Sequence, residues 1–408
     1  MKLVCDITLP ASKSESNRAL MIAAYGGFPA DFQNFSDAND TRILANAISK
    51  IQRGNRVIDI ADCGTAARFL TTFLACRKGD WFLTGTERMK QRPIGALVRA
   101  LTDLGADIQY VEKKGFLPLR IKGKQISGGK VSIDTTQSSQ FASSLLLASP
   151  MSPQGLELEL FGELNSLPYL DMTLAMMRHF GAEAEREGRR IVVAPKPYQP
   201  ASFSVSADWS AASYWYEMAA LSEDCEIRLH GLRGPSTSSG TASLQGDAII
   251  AEWMKSLGVN TLCSENSVVL TKIPFEKHTL SFDFSHHPDL FPTVAATCAG
   301  LQVEARFTGV ANLAIKESDR VEAMKTELAK IGMELVYNAG NEAFLKPSSE
   351  LPFFEKAHPL RFKSYDDHRI VMALAPLAMK VGCVVFDRPE VVEKSYPDFW
   401  HDASFLLH

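Results

Sequence analysis

Two kinds of helical pattern alternate along the chain. The first kind ends on a glycine. In "LTDLGADIQY", "MMRHFGAEAE", "WMKSLGVNTL" and "ELAKIGMELV" an amphipathic helix closes and the chain passes through Gly105, Gly181, Gly258 or Gly332 into a short strand. Glycine suits such an end because it accepts a left-handed backbone. These glycines are 76, 77 and 74 residues apart. A fifth helix, "DTRILANAISKI", reads as a degenerate copy with Gln52 where glycine would sit. The second kind of helix opens with small polar residues and then turns apolar on nearly all sides. It recurs at 14–25, 65–76, 138–149, 210–221, 289–300 and 367–379. A helix that is apolar all round is a buried helix.

Six buried helices, with amphipathic partners and intervening strands, predict about six α/β units of roughly 68 residues. Helix–Gly–strand is common in any α/β protein, but the nearly even spacing favours a true repeat. Three units per domain give two similar domains with a cleft between them. The 408-residue length points the same way, being too long for one hydrophobic core.

Composition narrows the partners. Hydrophobic residues make up 46% and charged residues 22%, as in an ordinary soluble globular protein. The net charge is −4, which argues against nucleic acid or an anionic membrane as the main partner. A local cluster of Arg and Lys is then a site and not a general field. "MKLVCDITLP" reads as a strand, without the apolar segment of a signal peptide, and no run approaches the length of about 18–20 apolar residues needed to cross a bilayer. The seven cysteines, Cys5, Cys63, Cys76, Cys225, Cys263, Cys298 and Cys383, are scattered without a C-x-x-C pair. That fits reduced thiols in a cytoplasmic protein, not disulfides or zinc.

The candidate chemistry sits at the starts of the buried helices. In "LPASKSESNRALMIAA", Ser12-x-x-Glu15 fits a capping box, yet Lys13 and Arg18 flank the same turn. The second helix follows "DCGTAAR", with Gly64, Thr65 and Arg68; the third opens on Ser138, Ser139 and Gln140; the last opens on Asp366, Asp367, His368 and Arg369. Helix N-termini offer free N–H groups and partial positive charge, so they suit phosphate or carboxylate. Arginine adds a bidentate fork for the same groups. Elsewhere, "RMKQRPIG" supplies Arg88, Lys90 and Arg92, and "EKSYPDFW" supplies Lys394. "NLAIKESDR" supplies Asn312, Lys316, Glu317 and Arg320. Lys316 and Arg320, four apart, share a face if the segment is helical, with Glu317 one residue round and available for proton transfer.

Each of these has a plain alternative: a solvated helix face for "KESDR", a basic loop for "RMKQRP", one more cap for Ser138-Ser139-Gln140. His286-His287 lacks a third ligand at plausible spacing and reads as a surface loop. There is no G-x-S-x-G elbow, no G-x-x-x-x-G-K-[ST] loop and no well-placed G-x-G-x-x-G. Many cations at helix starts, two or three carboxylates and no cofactor motif predict an α/β cleft enzyme for small polyanionic metabolites.

The chain resembles the 5-enolpyruvylshikimate-3-phosphate synthase family. Eleven segments carry the resemblance in order: "LPASKSESNRAL", "CGTAARFL", "RMKQRPIGALVRAL", "PLRIKG", "SSQFASSLLLASP", "SLPYLDMTL", "QGD", "PDLFPTVA", "NLAIKESDRVEAM", "YDDHRIVMAL" and "EKSYPDFW". The resemblance implies two similar domains of three α/β repeats each, with helices inside and sheets outside (an inside-out α/β barrel), and an active site in the interdomain cleft. It places the crossings near 11–12 and 206–207, so that residues 12–206 form one domain and 1–11 with 207–408 the other. It implies transfer of the enolpyruvyl group of phosphoenolpyruvate to the 5-hydroxyl of shikimate 3-phosphate, through a tetrahedral intermediate that loses phosphate. No metal or organic cofactor is implied, and a monomer in the cytoplasm is expected.

By the same resemblance, shikimate 3-phosphate is held by Lys13, Ser14, Arg18, Ser138, Ser139, Gln140, Ser166, Tyr169, Asp289, Asn312 and Lys316. Phosphoenolpyruvate is contacted by Lys13, Gly64, Arg92, Gln140, Arg320, Arg369 and Lys394. Asp289 is the base for the 5-hydroxyl, Glu317 and Lys13 are the acid/base groups for C3 and the leaving phosphate, and His368 assists. Four residues depart from the family pattern: Asp62 replaces Asn, Phe69 replaces Pro, Glu15 replaces an apolar residue and Leu167 replaces Lys. The Phe69 position bears on glyphosate binding, so sensitivity does not carry over with the resemblance, although Gly64 is present. Glu15 is expected to turn away from the ligands. UDP-N-acetylglucosamine enolpyruvyl transferases share the fold but usually carry Cys or Asp where this chain has Glu87, and prefer K-N to "SKS". A catalytically dead relative is opposed by the presence of Lys13, Asp289, Glu317, Arg320 and Lys394 together.

Overall fold

A computed structural model describes residues 2–234, 242–338, 340–348 and 359–407. The chain divides into two compact units, Lys13–Val205 and Met1–Ser12 with Ser206–His408. It opens on β1 (Lys2–Thr8), which belongs to the second of these.

The unit Lys13–Val205 contains α1 (Lys13–Gly26), α2 (Asn39–Gln52), β2 (Val57–Asp59), α3 (Gly64–Ala75), β3 (Gly79–Thr84), α4 (Gly95–Asp103), β4 (Asp107–Tyr110) and β5 (Leu119–Gly123). These are followed by β6 (Gly129–Asp134), α5 (Ser139–Ala148), β7 (Leu156–Phe161), α6 (Leu167–His179), β8 (Ala184–Glu187) and β9 (Arg190–Val193). Two sheets, ordered β2-β3-β5-β4 and β6-β7-β9-β8, share one design. A parallel pair is joined by a buried helix, α3 or α5, and two antiparallel strands complete the sheet. The strands alternate buried and exposed positions, as in Leu156–Phe161, so each sheet turns one face to its helix. The helices α1, α3 and α5 pack against one another. Almost every side chain of α3 and α5 is buried, which accounts for their all-round apolar sequence.

The second unit repeats the design. Its elements are β1, α7 (Trp209–Leu221), β10 (Asp224–His230), α8 (Ile250–Trp253), β11 (Val259–Cys263), β12 (Ser267–Lys272), β13 (Leu280–Asp283), α9 (Phe291–Leu301) and β14 (Ala305–Thr308). Then come α10 (Arg320–Ala329), β15 (Met333–Asn338), β16 (Glu342–Pro347), β17 (Leu360–Phe362), α11 (His368–Leu374), α12 (Ala378–Val381), β18 (Val384–Phe386) and α13 (Phe399–Asp402). The sheets are β1-β10-β12-β11, β13-β14-β16-β15 and the two-stranded β17-β18. Strand β1 pairs in parallel with β10, from Lys2↔Asp224 to Thr8↔His230. Residues 13–205 are therefore inserted within this first βαβ unit. Helices α7, α9 and α11 pack against one another, and all eleven residues of α9 are buried.

The repeat glycines Gly105, Gly181, Gly258 and Gly332 take φ values of +92°, +85°, +86° and +78°, the left-handed stop that their position requires. Helix α2 ends at Gln52, and Gly54, two residues on, takes φ +90°. Among the described residues the third sheet is reduced in both units: three-residue strands in β17-β18, and a single bridge, Gln33↔Ser204, beside α1. None of the described sheets closes on itself.

Candidate active site

In the unit Lys13–Val205 the candidate residues gather at the starts of α1, α3, α5 and α6. Lys13 begins α1 and its Nζ lies 3.1 Å from Asp40 Oδ2 on α2. Arg18, one turn on, is only 3% exposed. Its Nε donates to Thr173 Oγ1 at 2.7 Å, Nη1 to the Ser14 carbonyl at 3.0 Å and Nη2 to the Tyr169 carbonyl at 3.2 Å. The guanidinium also lies 5.8 Å from the Phe69 ring and 5.9 Å from the Tyr169 ring. Burial lowers its pKa to about 10, opposed by Tyr169 and Glu15, so Arg18 stays charged at neutral pH. Glu15 itself is wholly buried beside it.

Gly64 opens α3 behind Cys63, whose Sγ accepts from Ala66 N at 3.4 Å. A Cβ on Gly64 would lie 2.5 Å from Arg92 Nη1 and 2.9 Å from Arg68 Nη1. Two guanidinium groups therefore rest on the first turn of α3. Arg68 donates to the Gly64 carbonyl at 3.0 Å and the Pro93 carbonyl at 3.2 Å, and Asp62 is half-buried just ahead of the cap. Helix α5 is capped by Ser138, whose Oγ accepts from Gln140 N at 3.2 Å. Gln140 Nε2 reaches Thr65 Oγ1 at 3.3 Å and ties this start to that of α3. Ser139 is buried, and Ser166, also buried, begins α6 with a left-handed φ of +58°. Its carbonyl accepts from Tyr169 N at 3.1 Å.

The second unit assembles a different set around Arg320, the first residue of α10 and 1% exposed. Its guanidinium holds three carboxylates. Nη1 is 2.9 Å from Asp289 Oδ1, Nη2 3.0 Å from Glu317 Oε2 and Nε 2.9 Å from Asp367 Oδ2. Arg369 Nη2 takes the other Asp289 oxygen at 2.8 Å. Asp367 caps α11 through Arg369 N at 3.0 Å and accepts from Ser318 Oγ at 3.0 Å. Burial alone raises the pKa of Asp289, but Arg369, Arg320 and Lys316 together hold it far below the usual carboxylate range. Burial likewise lowers that of Arg320, and Asp367, Glu317 and Asp289 outweigh it and hold the guanidinium above its ordinary value. His368 and Lys394 are buried nearby in sequence on α11 and the turn Pro389–Lys394; Asn312 and Lys316 are half-buried on the turn before α10.

Two sequence expectations change. Lys316 and Arg320 do not share a helical face, because α10 begins only at Arg320 with Asp319 as its cap, and Glu317 meets Arg320 from the preceding turn. The Asp319 side chain accepts from Glu322 N, and that cap fixes where the helix can start. His286 and His287 are half-buried, not a surface loop; the His287 ring stands 5.5 Å from Trp253, and burial lowers its pKa to about 4. Sequence reasoning also missed Asp40 and Thr173, which hold Lys13 and Arg18, and the role of Asp367; only "YDDHR" signalled the last. It missed Asp247 as well, which is 4% exposed and bonded to Ser210 Oγ at 2.5 Å. Burial and the Asp289 charge push the Asp247 carboxyl up to about 7.

The family model described as EPSP synthase (3-phosphoshikimate 1-carboxyvinyltransferase) matches residues 1–403. The chain belongs to the EPSP synthase family. A 3-phosphoshikimate 1-carboxyvinyltransferase of Bacteroides fragilis (strain YCH46) is 45% identical over 402 residues, covering 98% of this chain and 95% of the relative. The enzyme of that name from Mannheimia succiniciproducens is 33% identical over 431 residues, covering 98% and 96%. Among solved structures, an EPSP synthase from Acinetobacter baumannii aligns with a TM-score of 0.73 at 21% identity, covering 99% of this chain and 96% of that one. The enolpyruvyl transferase NikO from Streptomyces tendae aligns with a TM-score of 0.73 at 15% identity, covering 99% and 95%. These two likenesses concern the fold. As a member of the EPSP synthase family, the chain is a transferase of the shikimate pathway to aromatic amino acids. Among the described residues no helix is long and apolar enough to cross a membrane, and no group of three or more His, Cys, Asp or Glu could hold a metal ion.

Proposed function

We propose that this chain transfers the enolpyruvyl group of phosphoenolpyruvate to the 5-hydroxyl of shikimate 3-phosphate and releases phosphate. The observation that carries the reading is the buried Arg320, which holds Asp289, Glu317 and Asp367 at 2.9–3.0 Å while Arg369 shares Asp289. Addition of the hydroxyl to C2 needs a base, protonation of C3 needs an acid, and departure of phosphate needs positive charge. That cluster supplies carboxylates and guanidinium groups in contact.

Asp289 is the base for the 5-hydroxyl. It is ionised, and both of its oxygens are held by arginines. When an anionic group of phosphoenolpyruvate takes the Arg369 guanidinium, Asp289 loses one cationic partner and its basicity rises. Glu317 and Lys13 exchange protons with C3 and the leaving phosphate, and His368 assists. Lys13, Ser14, Arg18, Ser138, Ser139, Gln140, Ser166 and Tyr169 hold shikimate 3-phosphate, with Asn312 and Lys316. Gly64, Arg92, Gln140, Arg320, Arg369 and Lys394 receive phosphoenolpyruvate. The loss of phosphate from the tetrahedral adduct, with loss of a proton from the new methyl group, restores the double bond.

The test mixes the protein with both substrates and follows phosphate release. Release that requires shikimate 3-phosphate is the expected result. Binding of both substrates without release would overturn the reading, as would release only with UDP-N-acetylglucosamine as acceptor.

A further inference from the structure

The segment that delivers Asp367, His368 and Arg369 is conformationally strained. Tyr365 and Asp366 take φ values of +54° and +55°, two consecutive left-handed residues neither of which is glycine. Such positions are costly for residues with a Cβ and persist only when the surroundings over-determine them. Helix α10 supplies the constraint at two points. At its start, Arg320 Nε grips Asp367 Oδ2 at 2.9 Å. Two turns along, Glu327 is 0% exposed and grips the same segment from the other side. Its Oε1 accepts from Tyr365 OH at 2.7 Å, and its Oε2 accepts from Lys363 N at 3.1 Å and pairs with Lys330 Nζ at 2.5 Å. Asp387 Oδ1 adds a bond from Ser364 N at 2.7 Å, and Arg388 Nη1 holds Asp366 Oδ1 at 2.5 Å. The Ser364 carbonyl then accepts from Asp367 N at 3.0 Å.

We propose that Glu327 and Tyr365 are positioning residues: the buried carboxylate fixes the left-handed Tyr365–Asp366 pair, and that pair sets Arg369 against Asp289 and Asp367 against Arg320. Neither residue touches the reacting groups. Glu327 recurs seven residues after Arg320 on one helix, so the same rigid rod carries the guanidinium that binds Asp367 and the acceptor that holds the turn presenting it. A small displacement of this turn moves the Arg369 guanidinium from the place where it meets an anion. The proposal rests on the function given above for its kinetic readout, and on geometry alone for its structural one.

The test is Tyr365→Phe, which removes one hydroxyl and leaves the ring. With wild-type turnover established, the expected result is a KM for phosphoenolpyruvate raised about tenfold, with the KM for shikimate 3-phosphate within about twofold of wild type. Glu327→Gln leaves one oxygen to accept from Lys363 N and Lys330 Nζ and an amide NH2 that can donate to the Tyr365 hydroxyl oxygen, so it should fall between wild type and Tyr365→Phe on the same scale. Both KM values unchanged, with only the melting temperature lowered, would overturn the proposal. A crystal structure of Tyr365→Phe tests it without substrates. The expected result is a lengthened Arg369 Nη2–Asp289 Oδ2 distance and relaxed φ at residues 365–366. A distance unchanged at 2.8 Å would overturn it even if the proposed function holds, and absent wild-type turnover would count against the function and not against this bracket.

Discussion

Glu217 is a carboxyl group in the wrong place for a charge. It lies on α7, is 0% exposed, and among the described residues neither of its carboxyl oxygens has a hydrogen-bond partner. Burial raises its pKa well above the ordinary value. The native chain therefore keeps it protonated where the unfolded chain, with a carboxyl pKa of about 4.3, has released the proton. The native state then binds more protons than the unfolded state, so stability falls as pH rises. The group's contribution is fully present below pH 4.3 and is lost as pH climbs towards the raised native value. For as long as the carboxyl stays protonated in the fold, each pH unit above about 4.3 costs about 1.36 kcal/mol, and the loss ends where the raised native value is reached.

Glu217→Met replaces the carboxyl with an unbranched apolar side chain of similar length, so the cavity and overpacking terms stay small. The expected outcome is a variant that is about 1–2 kcal/mol more stable than wild type at pH 5, with the gap widening as pH rises towards 8 by at most about 1.36 kcal/mol per pH unit. The assay is urea unfolding at several pH values, followed by tryptophan fluorescence. Four of the five tryptophans, Trp209, Trp215, Trp253 and Trp400, lie in the unit that contains Glu217 and Trp81 lies in the other, so the signal reports mainly that unit. Asp247 also titrates with folding, but it is common to both proteins and cancels in the difference. A gap that stays constant between pH 5 and 8, or a variant less stable than wild type at pH 8, would refute the reasoning.

Gly64→Ala places a methyl group 2.5 Å from Arg92 Nη1; the arginine should swing aside, raising the KM for phosphoenolpyruvate about tenfold while the melting temperature stays near wild type, and steady-state kinetics with each substrate varied will show whether it does. Glu317→Gln should lower turnover far more than it weakens shikimate 3-phosphate binding measured by calorimetry; a loss confined to binding would make Glu317 structural. The Asp247 carboxyl, pushed up to about 7 by burial and by Asp289, should titrate near pH 7 in carbon-13 carboxyl spectra, and Asp247→Asn should remove that titration; a carboxyl that titrates only below pH 5 would contradict it. Glu15→Ile should alter the melting temperature more than the turnover number, since Glu15 is wholly buried.

The parts of the molecule that were legible in the sequence are those written by periodicity. The six apolar helices and the four glycine stops each follow from a local rule, burial on all sides or a left-handed end, and the structure shows both. Lys13, Arg18, Gln140 and Arg369 were visible because a cation or amide at a helix start is unusual there. Asp40, Thr173 and Glu327 were not, because each is an ordinary helical residue whose importance comes only from a partner distant in sequence, 27 residues away for Asp40 and 155 for Thr173. The segment from Lys316 to Arg320 was misread for a related reason. Spacing by four suggests a helix, but the cap at Asp319 decides where the helix starts, and one capping residue outweighs the pattern of the turn before it.

The two units use one scaffold with different helix caps. In the second unit the buried or adjoining helices α7, α10 and α11 start on Asp208, Asp319 and Asp367, each accepting from the first free N–H groups. An aspartate cap offsets the partial positive charge of the helix start, and it holds a carboxyl group at a defined place; Asp367 is one of the three that Arg320 gathers. In the unit Lys13–Val205, α3 and α5 start on Cys63 and Ser138, which cap without a full charge. Neither cap cancels the positive potential of its helix start, and at α3 the Arg68 and Arg92 guanidinium groups add to it. A phosphate or carboxylate is favoured there by that potential and by the first-turn N–H groups that the cap leaves over. Proton transfer needs placed carboxylates and anion binding needs unopposed donors.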